Sequence, residues 1–167
     1  MRHLILILVA LLLPSLALAQ GKIAVLDVQA AILNTDVAQK RFKELRAQPT
    51  YDGNMKELEK LRKEYEELVK QVQKDLVVMS AEQKEAQRKK IEDKRGDIEH
   101  VARKLQMAEQ ELAQGLMQDL GAELQSVVTE LIKSEGIGLL LDRKAVMHAD
   151  NAYNITAKVT ERLNKAK

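Results

Sequence analysis

The chain has no cysteine and no tryptophan, one Phe, three Tyr and two Pro in 167 residues. Without Cys there is no disulfide, no thiol nucleophile and no zinc site built on thiolates. Aromatic residues make up 2% of the chain, too few to dominate a thick globular core. The formal charge of +2 is nearly balanced, so the total gives no strong polyanion-binding signal. That balance and the scarcity of stacking side chains argue against a nucleic-acid partner. His100 and His148, the histidines beyond His3, fall in no His-x-x-x-His or His-Glu-x-x-His spacing. There is no glycine-rich phosphate loop and no Gly-x-Ser-x-Gly elbow, and Ser80 is better explained as a helix cap. No enzyme, cofactor or metal is expected.

What is present begins with a leader. Arg2 and His3 give a basic start, Leu4–Leu13 is a continuous apolar run, Pro14 breaks it, and Ala17-Leu18-Ala19 has the A-x-A form of a cleavage site. The run is too short for a comfortable membrane span. Residues 1–19 therefore read as a secretory signal peptide cleaved after Ala19, leaving a soluble, exported chain with a charge of +1 once Arg2 is gone. An uncleaved anchor helix is the alternative.

After the leader, Lys22-Ile-Ala-Val-Leu-Asp27 is aliphatic and reads as a buried strand. Asp27 can cap a short helix through Leu33, and Asn34-Thr35-Asp36 can cap a second one to about Gln48. Pro49 should break that helix, with Asp52-Gly53-Asn54 restarting it. From Asn54 to Ser134 the sequence is charged and helix-forming. Leu58, Leu61, Tyr65, Leu68, Val72, Leu76 and Met79 step by three or four, the spacing of one narrow helix face. Ser80 and Gln83 form a capping-box pattern, which places a hairpin tip at 79–80. Beyond it, Ile91, Ile98, Leu105 and Leu112 repeat every seven residues, and the stripe thickens at Leu116, Leu120, Leu124, Val128 and Leu131. Antiparallel partners across such a hairpin have numbers adding to about 159, which sets Leu68 against Ile91, Leu61 against Ile98, Leu58 against Val101 and Phe42 against Met117. Nearer the tip the match fails, because Val72 meets Gln87.

Gly136 suits the position just past a helix end. Leu139–Asp142 is then a strand, 142–144 a turn, Ala145–Met147 a returning strand, and Asn154-Ile155-Thr156 the entry to a last helix through about Lys165. Three short strands make a poor isolated sheet with open edges, so association through this root is expected. The fold class is mainly α with a small β root: 20–48 and 118–167 form a discontinuous body and 49–117 a helical arm.

These segments together resemble the Skp (OmpH) family of periplasmic chaperones. The likeness rests on Lys22-Ile-Ala-Val-Leu-Asp-Val-Gln-Ala-Ala-Ile32, on Gly138-Leu-Leu-Leu-Asp-Arg-Lys-Ala-Val146 and on Asn154-Ile-Thr-Ala-Lys-Val-Thr-Glu-Arg-Leu163. The resemblance implies a homotrimer, with strands of three chains in a small barrel and three arms hanging as tentacles around a cavity. It also implies an ATP-independent holdase for unfolded outer-membrane proteins, and in some members lipopolysaccharide binding. Ile23, Val25, Leu139, Leu141 and Val146 would then hold the trimer. The segment 49–53 departs from a smooth tentacle as an insertion or a kink.

Near the tip, Lys84, Arg88, Lys89, Lys90, Lys94, Arg95, Arg103 and Lys104 outnumber Glu85, Glu92, Asp93, Asp97 and Glu99 by three. The functional reading is attraction of acidic clients, lipopolysaccharide or anionic lipid. The plainer reading is a solvated helix face with pairs such as Glu85–Lys89 and Asp93–Lys90. Met107 and Met117 are adaptable client contacts if they face inward. Gly96, Gly115 and Gly121 each weaken the second helix by up to about 1 kcal/mol relative to Ala. Flexing is assigned to Gly96, where the seam is thin, and close helix packing remains open for Gly115 and Gly121. The competing reading is a periplasmic coiled-coil adaptor that docks on an envelope complex.

Overall fold

A computed structural model describes residues 21–166. The leader and its cleavage after Ala19 lie outside the described residues. The aliphatic run Lys22–Leu26 forms β1, and Ile137–Asp142 forms β2. They pair in parallel, with Ile23 beside Leu139 and Leu26 beside Asp142. A parallel pair needs a crossover connection, and here the entire arm is that crossover. Lys22 pairs with Ile137, so the register skips Gly138. At that skip the two backbones nearly touch: a Cβ on Gly21 would lie 2.5 Å from the Cα of Gly138. Only glycine fits at both places.

The segment after β1 follows its capping residues. Asp27 Oδ1 accepts from Ala30 N at 2.8 Å and starts α1 (Val28–Leu33). Thr35 Oγ1 accepts from Ala38 N at 3.3 Å and starts α2 (Asp36–Arg46). The next helix, α3 (Pro49–Asp75), begins on the proline itself. The sequence places the restart three residues later, at 52–54. Proline ends the preceding helix, but its missing N–H and fixed φ also suit the first position of a new one. The interruption is thus confined to Ala47 and Gln48, and Gly53 lies inside α3. It is no insertion. Arg41–Asp119 precedes it and Glu64–Lys94 follows it, and both obey the same pairing sum to within one residue.

Ser80 caps α4 (Ala81–Glu135), 55 residues and about 80 Å long, with both bonds of the capping box present. Gly136 closes it in the left-handed region at φ 65°, donating its N–H to the Ile132 carbonyl. After β2, the expected strand Ala145–Met147 does not form. Asp142 Oδ1 accepts from Lys144 N at 2.7 Å and winds Arg143–Ala145 into a 3₁₀ turn. Asn154, rather than that segment, bridges to Val25, and α5 (Thr156–Lys165) follows.

One core joins both ends of the chain. Ala24, Leu26, Ile32, Leu131, Val159 and Leu163 are among its buried members, and Leu116, Leu120, Leu124 and Val127 extend it up α4. The sequence assigns Val128 to that stripe, but Val127 is the buried residue and Val128 is half-buried. Hydrogen bonds from α5 clip the body shut: Thr156 Oγ1 accepts from Asp27 N at 3.0 Å, and Thr160 Oγ1 donates to the Ala31 carbonyl at 2.9 Å.

Candidate functional site

The arm is α3 lying against the distal part of α4. Its separate buried cluster has four members, Tyr51, Leu58, Val101 and Leu105, flanked by half-buried Leu61 and Ile98. This is the seam the pairing rule describes. Toward the tip the mismatch of Val72 and Gln87 has a physical trace. Gln87 Oε1 is covered but has no hydrogen-bond partner among the described residues, and such a group typically destabilises by about 1–3 kcal/mol. The tip lacks the packing that holds the base.

Tyr51 was not legible as core, because it sits in the stretch that reads as an interruption. Its ring is buried, and its hydroxyl donates to Glu109 Oε1 at 2.8 Å across the seam. Burial, then the bonded carboxylate, pushes the phenol pKa up. Farther out, Lys94 Nζ donates to Glu64 Oε2 at 2.8 Å. The hydrogen bond from Lys94 holds the Glu64 carboxyl below its usual range and raises the lysine.

The eight tip cations divide into two sets. Arg88 binds Glu85 through two nitrogens, at 2.7 and 2.9 Å, and also reaches Glu92. Arg95 and Arg103 share Glu99, and Lys94 is tied to Glu64. Lys84, Lys89, Lys90 and Lys104 make no ion pair among the described residues and are exposed. The expected pairs Glu85–Lys89 and Asp93–Lys90 do not form. The guanidinium fork of Arg88 takes both oxygens of Glu85, which an ammonium cannot match. Lys90 lies N-terminal to Asp93, the less favourable order on a helix.

Gly96 lies in an unbroken stretch of α4 with open space where a Cβ would stand. Gly115 and Gly121 also face open space, so no helix among the described residues of this chain packs closely on them. Met107 is exposed, whereas Met117 packs on the body core. Along the same stretch of α4 runs a feature the sequence reading missed. Gln106, Gln110, Gln114 and Gln118 recur at four-residue steps and are all exposed. The last three join Gln29 of α1 around a groove of about 570 Å³. The even four-residue spacing is the signal in the sequence that marks them.

At the root, Ile23 and Leu139 are about half exposed and Leu141 and Val146 half-buried, while Val25 is buried beneath the 143–153 segment. All but Leu139 line a cavity of about 210 Å³. Met147 is fully exposed and Tyr153 nearly half. Among the described residues, no His, Asp or Glu cluster is placed to hold a metal, and no helix is long and apolar enough to cross a membrane.

The model of the family described as outer membrane protein (OmpH-like) matches residues 22–163. The chain belongs to that family. This is a family of Skp-like outer-membrane chaperones, not of enzymes. The OmpH-like chain is 27% identical to a Skp-like protein of Pseudomonas aeruginosa over 165 residues, covering 96% of this chain and 95% of that protein. A solved OmpH-like protein from Caulobacter crescentus is 19% identical, with 87% of this chain and 85% of that one covered and a TM-score of 0.47.

Proposed function

We propose that this protein is an ATP-independent holdase of the periplasm, soluble after cleavage following Ala19, which keeps unfolded outer-membrane proteins from aggregating in transit. Family membership over residues 22–163 supports the chaperone class. The observation that carries the holding mechanism is the imbalance of the arm. Its part of α4, residues 81–117, is about 55 Å long, and its own cluster buries four residues, so most of its surface is left for something else.

The working form is a homotrimer held through residues 20–48 and 118–167, with Ile23, Val25, Leu139, Leu141 and Val146 at or beneath the subunit contact. Two short strands with exposed apolar neighbours make a marginal sheet alone. Strands from three copies would close the edges into a barrel. Residues 49–117 of each copy then wall a cavity, with Gly96 as the point of flexing.

Clients are held by many weak contacts. The glutamine row offers amide donors and acceptors to any extended backbone, and Met107 adds an adaptable apolar contact. Lys84, Lys89, Lys90 and Lys104 attract acidic stretches of clients or the phosphates of lipopolysaccharide, with Arg88, Lys94, Arg95 and Arg103 contributing through the summed field. Release follows when the client folds into a membrane. The test is aggregation of an unfolded outer-membrane β-barrel, followed by scattering, with the mature protein's mass measured alongside. A trimer suppressing aggregation at one trimer per client is expected. A monomer, or a trimer that leaves aggregation unchanged, sinks the reading.

A further inference from the structure

Where α1 turns into α2, the body carries a pocket of about 840 Å³. Leu33 and Phe42 give it an apolar side; both are half-buried, with their inner faces on the body core. Lys40, Lys43 and Arg46 bring three cations, and Asn34 and Gln39 bring two amides. Among the described residues no carboxylate lines it. None of the five residues assigned to the subunit contact lines it either.

The cations are loosely engaged. Lys43 makes no ion pair among the described residues, and Lys40 reaches Glu44 only at 3.9 Å. Arg46 reaches Glu109 at 3.8 Å, and that carboxylate already accepts from Tyr51 at 2.8 Å. Both ion contacts are too long to be hydrogen bonds, and exposed pairs of this kind contribute little. The Arg46 guanidinium stands 6.0 Å from the centre of the Phe42 ring, so charge and apolar surface meet in one place. Gln39 Nε2 donates to the Leu33 carbonyl at 3.3 Å, which holds the side chain across the corner and leaves Oε1 to accept. The negative end of α2 is partly closed, since Ala47 N donates to the Lys43 carbonyl and Gln48 N to the Leu45 carbonyl, both at 3.1 Å. A helix end favours cations in its last turn. It does not call for Lys40 as well, or for a phenylalanine beside them.

We propose that this pocket binds the free carboxylate end of a polypeptide whose last side chain is apolar. The carboxylate meets Lys40, Lys43 and Arg46, the last peptide N–H donates to Gln39 Oε1, and the terminal side chain lies on Leu33 and Phe42. A chain end suits the pocket because one α-carbon bears all three groups. An acidic side chain within a chain holds no apolar group at a fixed distance from its charge. A phosphate alone leaves Leu33 and Phe42 uncovered, and a bilayer is too flat to enter. The volume is that of a small-molecule site, room for about two or three residues and not for a folded partner. The proposal rests on the holdase reading for the source of the peptide: an unfolded client is held by its end as well as along its length, one defined contact among many weak ones.

The probe is dansyl-Gly-Gly-Phe with a free carboxylate, titrated with the mature protein and followed by fluorescence anisotropy. Binding should saturate, and it should weaken about tenfold both in the carboxamide of the same peptide and in the variant Lys40→Gln/Lys43→Gln. Both lysines are exposed, so the variant should keep the parent's helical circular dichroism. Equal binding of acid and carboxamide, or a double variant that binds as tightly as the parent, overturns the proposal. So does inorganic phosphate that displaces the probe as well as acetylphenylalanine at the same concentration, which leaves only a general anion site. No unfolded client enters this titration, so failure of the holdase reading in the aggregation assay leaves its result intact.

Discussion

Body and arm are made from the same chain by opposite means. In the body, strands, three short helices and the base of α4 share one apolar core, and α5 fastens it with side-chain hydrogen bonds. In the arm, two helices meet along a seam one side chain wide, supplemented by isolated polar pairs. The body is held by burial that is general and redundant. The arm is held by a few contacts that can each be counted, and its stability should fall stepwise toward the apex.

The largest effect expected is in the body. Leu131 is fully buried, and Leu131→Ala should lower global stability by about 3 kcal/mol, read in thermal or urea unfolding. If hydrogen-exchange protection in the arm seam then falls as much as in the body, the two regions are one cooperative unit and the contrast fails. Tyr51→Ala should remove about 3 kcal/mol of local stability. Hydrogen exchange should then show lost protection in the seam and unchanged protection in α5. Tyr51→Phe keeps the ring and should forfeit only the bond to Glu109, about 1.5 kcal/mol. Smaller again is the response to acid. Glu64 has a folded-state pKa below its unfolded value, so its contribution is present above the ordinary carboxylate range and disappears as pH falls through the depressed value. Exchange across 60–98 should accelerate below the ordinary carboxylate range, and Glu64→Gln should abolish the acceleration. Smallest is Gly96→Ala, which meets no atom and should stabilise α4 by up to about 1 kcal/mol. If flexing at Gly96 matters, this variant holds large clients less well than small ones in the aggregation assay.

Where one residue type has one dominant use, the sequence was a good guide. Asp27, Thr35, Ser80 and Gly136 each stand at the helix end their chemistry suits. The pairing rule from a single turn placed Leu58 with Val101 and Leu61 with Ile98 in one cluster. Legibility failed where a residue has two uses. Pro49 both stops a helix and starts one. Asp142 ends a strand, but its side chain also turns Arg143–Ala145 out of the sheet, so an apolar Ala145–Met147 never pairs. The candidate cations were legible as a group and not one by one, since which carboxylate each takes depends on side-chain geometry that charge alone does not encode. The four glutamines were not legible, because they form neither an apolar stripe nor a charge run.

The parallel pairing of β1 and β2 also governs how the molecule can come into being. More than a hundred residues separate the two strands, and such a contact is slow to find by random search. The arm shortens that search. Zippering of α3 against α4 is antiparallel and starts from a local turn at Ser80, and each step draws the distant ends of the chain closer until β1 and β2 lie side by side. During synthesis the first strand must wait, unpartnered, until nearly the whole chain has been made. Removing matched heptads from both helices should therefore leave the body able to assemble, whereas lengthening one helix alone should leave the strands out of step.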